Sequence, residues 1–186
     1  LSEYNYSVRF AYQTERFLSS VVVSKNKMIE KGAEVLLIPT ADGVIIGKTI
    51  CVQEFEEFSA RDYGRPVRDM KSGVMPPKLA RMMINLAQVP QDSLLLDAFC
   101  GSGTVLQEAA ILGYKQIYGR DVSEKAVADS QENAKWLLSE IPEIQTDIDI
   151  KICDVKNLSQ KLKNKIDAII SEPYLGPTLH KELEHH

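Results

Sequence analysis

The stretch Leu94-Leu-Leu-Asp-Ala-Phe-Cys-Gly-Ser-Gly-Thr104 constrains the fold of this chain more than any other. Three leucines make a short apolar run, and Asp97 ends it. Gly101, Ser102 and Gly103 follow as a turn, and Thr104 to Ala110 reads as helix. A buried strand entering a glycine turn and then a helix N-terminus is how an α/β sheet builds a nucleotide pocket. Glycine lets the backbone approach a ligand closely, and the helix start offers unpaired N–H groups. The turn is therefore expected at the carboxyl edge of a parallel sheet.

The segments on either side divide the chain. Ser93 to Phe99 is the first strand of a regular series, and Thr104 to Leu112 its helix, stopped by Gly113. Gln116 to Val122 is a second strand with Asp121 near its tip. Ser123 caps a helix to about Glu140 that turns Ala126, Val127, Ala134, Leu137 and Leu138 inward, and Ile141-Pro142 ends it. Asp147 to Val155 and Lys165 to Pro173 complete four strands, with a short helix over Leu158 to Lys163 between them. Such alternation implies parallel pairing, so residues 93–182 are predicted to be a partial, Rossmann-like α/β domain.

Residues 1–60 read as a small β-rich appendage, with strands over Leu18–Val23, Ala33–Ile38 and Val44–Gln53 and a hairpin turn at Asp42-Gly43. Residues 61–92 read as a basic linker and a lead-in helix. Pro76-Pro77 begins that helix, and Leu79, Met82, Met83 and Leu86 form its apolar face. Leu183-Glu-His-His186 reads as the start of a histidine tag. Leu1 is not an initiator Met, so the natural N-terminus is expected upstream.

Composition then narrows the chemistry. With 186 residues, 44% of them hydrophobic, the chain can bury a core, and no apolar run is long enough to span a membrane. Cys51, Cys100 and Cys153 lie far apart without metal-ligand spacing, so neither zinc nor disulfides are expected and a reduced, cytoplasmic setting fits best. Setting the tag aside, His180 is the one remaining histidine, which argues against histidine catalysis. A net charge of −4 gives no global pull toward nucleic acid, so any polyanion site must be a local patch. Six basic residues from Arg61 to Arg81 face only Asp62 and Asp69. Arg61, Arg65, Arg68 and Lys71 are accordingly candidates for RNA phosphates, the alternative being a solvated loop with internal Arg–Asp pairs.

Four loops fall at one sheet edge, each with a polar group: Asp97 with the glycine turn, Asp121, Asp154, and Ser171-Glu-Pro-Tyr-Leu-Gly-Pro177. Asp121 is placed to accept both ribose hydroxyls of a nucleoside, and Asp154 to accept from an exocyclic amine. Carboxylates converging on one crevice are costly without a compensating guest. A neutral or cationic nucleoside suits them better than a dinucleotide pyrophosphate. The glycine turn is also not the GxGxxG of dinucleotide folds.

Asp97-Ala-Phe-Cys-Gly-Ser-Gly-Thr104 resembles motif I of class I S-adenosylmethionine-dependent methyltransferases. With Arg61-Asp-Tyr-Gly-Arg-Pro-Val-Arg-Asp69 and Ser72-Gly-Val-Met-Pro-Pro-Lys-Leu-Ala80, it is most similar to the THUMP-associated tRNA guanosine N2-methyltransferases, over about residues 18 to 177. The resemblance implies S-adenosylmethionine as cofactor, held by Pro77, Lys78, Asp97, Phe99, Gly101, Ser102, Gly103, Thr104, Asp121, Val122, Asp154 and Val155. It implies transfer of a methyl group to RNA, at guanosine N2 of tRNA. Such a cofactor brings its own activated methyl, so the protein supplies neither nucleophile nor metal, only alignment. Cys100 is accordingly expected to pack rather than react, and Tyr114, Tyr118 and Trp136 to pack rather than stack on bases.

The resemblance also assigns the fourth loop. The family reads Asp/Asn-Pro-Pro-Tyr there: the acid or amide accepts from the base amine and the aromatic stacks on a flipped base. Here Glu172-Pro173-Tyr174 stands instead, with a longer acid, one proline and the aromatic one place early. These three residues are the expected catalytic group. Alternatives are a DNA amino-methyltransferase, a degenerate cofactor- or RNA-binding module and, distantly, a nicotinamide dehydrogenase. Only four of the family's seven strands are readable, so a truncated piece with an open edge is expected. It would self-associate through that edge unless the N-terminal segment covers it. The THUMP region is not in this chain, so its RNA affinity is expected to be poor.

Overall fold

The computed structural model describes residues 18–70, 73–163, 165–174 and 176. They fall into two compact units, Leu1–Glu57 and Phe58–His186. No helix among the described residues is long and apolar enough to cross a membrane.

In the first unit, β1 (Val35–Thr40) and β2 (Gly43–Lys48) form an antiparallel hairpin with Thr40 opposite Gly43, so Ala41-Asp42 is its two-residue loop. The hairpin agrees with the turn signal at Asp42-Gly43. Leu18–Val23, expected as a strand, is instead the start of α1 (Ser20–Lys25). Ser19 decides this: its hydroxyl accepts the Val22 N–H, a local cap that overrides the β preference of three successive valines.

The second unit opens with α2 (Phe55–Ser59), which spans the division between the units, and a π-helical turn, Ala60–Gly64. Neither shows as periodicity, because the turn is held by distant partners. α3 (Pro77–Ala87) begins where Pro76-Pro77 predicted. Its inward residues are Pro77, Ala80 and Ile84, with Met83 and Ala87 packed at the margin. The expected face of Leu79, Met82, Met83 and Leu86 is thus corrected by one position, since Leu79, Met82 and Leu86 are exposed. Apolar residues wrap most of this helix, and the small Ala80 is fully buried in the core that α3 shares with the helix after the glycine turn.

The sheet is parallel, in the order β5 (Asp147–Ile152), β4 (Gln116–Asp121), β3 (Leu94–Asp97), β6 (Ala168–Ile169). β3 runs through the glycine turn into α4 (Thr104–Ile111), and β4 runs into α5 (Glu124–Glu140), whose cap Ser123 accepts the Ala126 N–H. β5 leads to a short 3-10 turn, Val155–Asn157, and α6 (Leu158–Lys161). Leu95, Ile117, Ile148 and Ile150 lie on one sheet face and meet Ile84, Leu106, Ala109, Val127 and Leu137 from the helices. The fourth strand is shorter than the Lys165–Pro173 expected: two residues pair with β3 before the chain turns toward the site.

Candidate active site

Strand order positions the site. From β3 the chain steps to β4 and β5 on one side, and β6 then pairs on the other side of β3. In open α/β sheets a ligand crevice forms beyond the carboxyl ends at such a reversal. A cleft of about 620 Å³ opens there. Asp97, Phe99, Gly101, Ser102 and Thr104 line it from the first loop, Asp121 and Val122 from the second, and Glu172, Pro173 and Tyr174 from the fourth. Asp69 and Val74, Met75, Pro76 and Leu79 close a further wall.

The glycine turn is built for close approach. Gly101 has φ +50°, and a Cβ there would meet no atom within 4 Å, so backbone alone faces the space. Gly103 has φ +83°, and a Cβ there would run into the Ser130 hydroxyl, so this position does not accept a side chain. Asn133 brackets the turn from behind: its amide donates to the Ser102 and Val67 carbonyls and accepts the Val67 N–H. Asp121 accepts Gly101 N–H at 3.0 Å and Ser123 N–H at 2.9 Å. Each of its oxygens keeps a lone pair for a guest hydroxyl.

Asp97 carries the sharpest electrostatic signature. It is 3% exposed, and burial pushes its carboxyl up to about 6 despite hydrogen bonds from the Ser171 hydroxyl and Phe99 N–H; Asp121 and Glu172 raise it further. Ser171 ties the loops together: it donates to Asp97 Oδ1 and accepts the Ala98 and Phe99 N–H groups, each at 3.1 Å. Burial followed by the charges of Asp97 and Asp121 pushes the Cys100 thiol up to about 12, so it stays protonated and packs.

Several expected contacts lie elsewhere. Pro77 is buried in the core and Lys78 points toward the Phe58 ring, 5.7 Å from its centroid; their neighbours Pro76 and Leu79 line the cleft in their place. Asp154 is turned to its own chain, accepting Lys156 N–H as the cap of the 3-10 turn, and neither it nor Val155 lines the cleft.

The basic segment divides in the same way. Arg61 and Arg65 are buried, so the expectation that they hold RNA phosphates does not fit their place in the fold. Arg61 Nε donates to Glu108 Oε1 at 2.6 Å, Arg81 Nε donates to Glu108 Oε2 at 2.9 Å, and both guanidinium groups lie over the Phe58 ring. Arg65 Nη1 donates to the Thr104 hydroxyl at 2.7 Å. Arg68 remains partly exposed, over the Tyr63 ring and 3.5 Å from Asp62. Lys71 lies outside the described residues. Sequence reasoning overlooked Glu108, although a charge inside a helix otherwise buried from Thr104 to Ala110 signals partners elsewhere.

Acids at three loop ends and a backbone floor at Gly101 suit a guest that carries positive charge. Fold and cleft together define a Rossmann-like α/β protein with a ligand crevice at the reversal of strand order.

Comparison with known proteins makes this specific. Residues 65–185 match the RMKL-like, methyltransferase domain family, and the chain belongs to that family. It is 34% identical over 136 residues to the tRNA (guanine(10)-N2)-dimethyltransferase of Methanothermobacter thermautotrophicus, covering 73% of this chain and 37% of that protein. It is 33% identical over 150 residues to the protein of the same name from Methanocaldococcus jannaschii, covering 76% and 41%. This chain therefore spans about two fifths of the length of those relatives. The crystal structure of TrmN from Thermus thermophilus shares the fold, with a TM-score of 0.50, 19% identity and coverage of 88% of this chain and 49% of that one.

Proposed function

We propose that this chain is the cofactor-binding part of an S-adenosylmethionine-dependent methyltransferase that modifies the exocyclic N2 amine of guanosine in tRNA. The observation that carries the reading is the cleft at the strand reversal, with the glycine turn as its floor and Glu172-Pro173-Tyr174 on its lip. The names of the relatives supply the substrate. When bound, the cofactor supplies an electrophilic methyl on a positively charged sulfur.

The chain's own residues do the rest. Asp121 accepts from ribose hydroxyls while held by two backbone N–H groups. Phe99 and Val122 offer apolar surface on either side of that loop for the base of the nucleoside. Asp97, which lines the cleft, would set negative charge toward a cationic guest. Glu172 would accept a hydrogen bond from the target amine and so orient it, and Tyr174, 70% exposed, would offer a ring to the guanine. Pro173 stiffens the loop between them. Arg68 and Lys71 remain the basic residues assigned to RNA contact, and the reduced cytoplasm is the setting.

The test has two arms. Calorimetric titration of this chain with S-adenosylhomocysteine should show one-to-one binding, with NADH giving none. In the full-length protein, methyl transfer to unmodified tRNA should exceed transfer to duplex DNA, and Glu172→Ala should lower the tRNA rate by at least about 100-fold, the scale of a misplaced reacting group. Unchanged activity in Glu172→Ala would remove that residue from the mechanism. Binding without transfer to either nucleic acid would mark a module that holds cofactor without turnover.

A further inference from the structure

An RNA-modifying chain with a net charge of −4 needs a local basic patch, and Arg61 and Arg65, two of the cations expected there, are buried. A second cavity, of about 430 Å³, gathers others. It lies on the sheet face turned away from α4 and α5. Ile117, Ile148 and Ile150 point to those helices. The alternate residues Tyr118 and Arg120 of β4, with their partners Asp149 and Lys151 of β5, point the other way and line the cavity. Lys161, the last residue of α6, and Lys163 just beyond it add to the lining.

The cations divide into floor and rim. Arg120 is 3% exposed and committed to the protein. Its Nη1 donates to the Gly119 and Asp149 carbonyls, its Nη2 donates to Asp149 Oδ2, and its guanidinium lies over the Tyr118 ring. Asp149 also pairs with Lys151 Nζ at 2.9 Å, so one carboxylate answers both cations of the sheet. Lys161 and Lys163 are exposed, and no carboxylate among the described residues pairs with either. Four cations thus surround one cavity with a single acid among them.

The place of β5 at the sheet edge accounts for only part of this. Lysine on an outer strand blocks further pairing, which serves for Lys151. Lys161 and Lys163 come from a separate segment and converge on the same space. Like charges brought together are unfavourable unless an anion joins them.

The position also suits a long anion. Arg120 directly precedes Asp121, so cavity and cleft draw on consecutive residues of β4. β5 stands three strand positions from β6, about 14 Å across the sheet. With about 3.4 Å of rise per nucleotide, that distance is a few nucleotides from a base held at the Glu172–Tyr174 lip.

We propose that Lys151, Lys161 and Lys163 form a seat for backbone phosphates of the substrate RNA beside the target nucleotide, with Arg120 and Asp149 as its fixed floor. This rests on the RNA reading above. The seat takes phosphate charge and not sequence, with the lysines acting as flexible point charges.

The test uses the full-length protein and unmodified tRNA. The double variant Lys161→Ala, Lys163→Ala changes exposed residues outside the cleft, so affinity for S-adenosylhomocysteine should stay within about twofold. Its kcat should hold while the KM for tRNA rises by about tenfold. The slope of log K against log salt for tRNA binding should shrink by about 1 for each lysine removed, and Lys161→Arg with Lys163→Arg should restore it. An unchanged salt slope, or a loss of kcat at constant KM, overturns the seat while the cofactor and RNA readings stand. Pyrophosphate binding that the double variant loses, with the KM for tRNA unmoved, would mark a site for small anions and likewise overturn it. A wild type that binds S-adenosylhomocysteine but neither binds nor methylates tRNA overturns the RNA reading and the seat together.

Discussion

Asp97 is a carboxylate the fold keeps dry. A folded-state value of about 6 against an ordinary 3.8 means that the folded protein holds this proton more tightly than the unfolded chain does. Its contribution to stability is therefore full below the ordinary value and is lost as pH rises through about 6. Asp97→Asn should flatten that slope, so urea midpoints of variant and wild type should diverge in the variant's favour from pH 4 to pH 7. The ammonium group of S-adenosylhomocysteine is better matched by the ionised carboxylate than by the protonated one, so its binding should weaken as pH falls through about 6. Below that pH, complex formation should release a proton, seen by calorimetry as a heat that depends on the buffer.

Among the elements, α4 carries two duties that share no residue. Its first residue, Thr104, lines the cleft, and Glu108, one turn on and 1% exposed, holds Arg61 and Arg81. Removing one member of a buried ionic group leaves the others uncompensated. Glu108→Ala should thus lower stability by about 3–5 kcal/mol in urea unfolding. Asn133, fully buried on α5, holds Val67 and Ser102 at once. Asn133→Ala leaves those backbone groups unpaired, at a cost of about 1–3 kcal/mol, and frees the glycine turn. Affinity for S-adenosylhomocysteine should fall in this variant even at temperatures where it is fully folded.

At the scale of the molecule, β6 pairs with β3 alone among the described residues and leaves Ile169 67% exposed beside an open edge. An apolar edge of this kind recruits further strands. Sedimentation velocity of the chain over a concentration series should show self-association that Ile169→Lys reduces. A single monomer boundary at all concentrations would remove the edge as a contact.

How much of this was legible beforehand follows from the range of the interactions. The glycine turn, the Ser123 cap, the Pro76-Pro77 start and the Asp42-Gly43 hairpin are set by neighbours a few residues apart, and the structure keeps each of them. The sequence by itself determined the α/β class and which loops carry acids. It misplaced Leu18–Val23, where a side-chain cap outweighed β preference, and the apolar face of α3, where several stripes competed. The order β5-β4-β3-β6, and with it the reversal that opens the cleft, came only from the tertiary structure. So did the fate of the arginines: a basic run looks alike in any sequence, and only packing against Glu108 and Thr104, 47 and 39 residues away, separates buried cations from those left for solvent. The physical reason is that local dihedral and capping preferences act within a turn of chain, while charge pairing and strand order depend on contacts made only when distant segments close on one core.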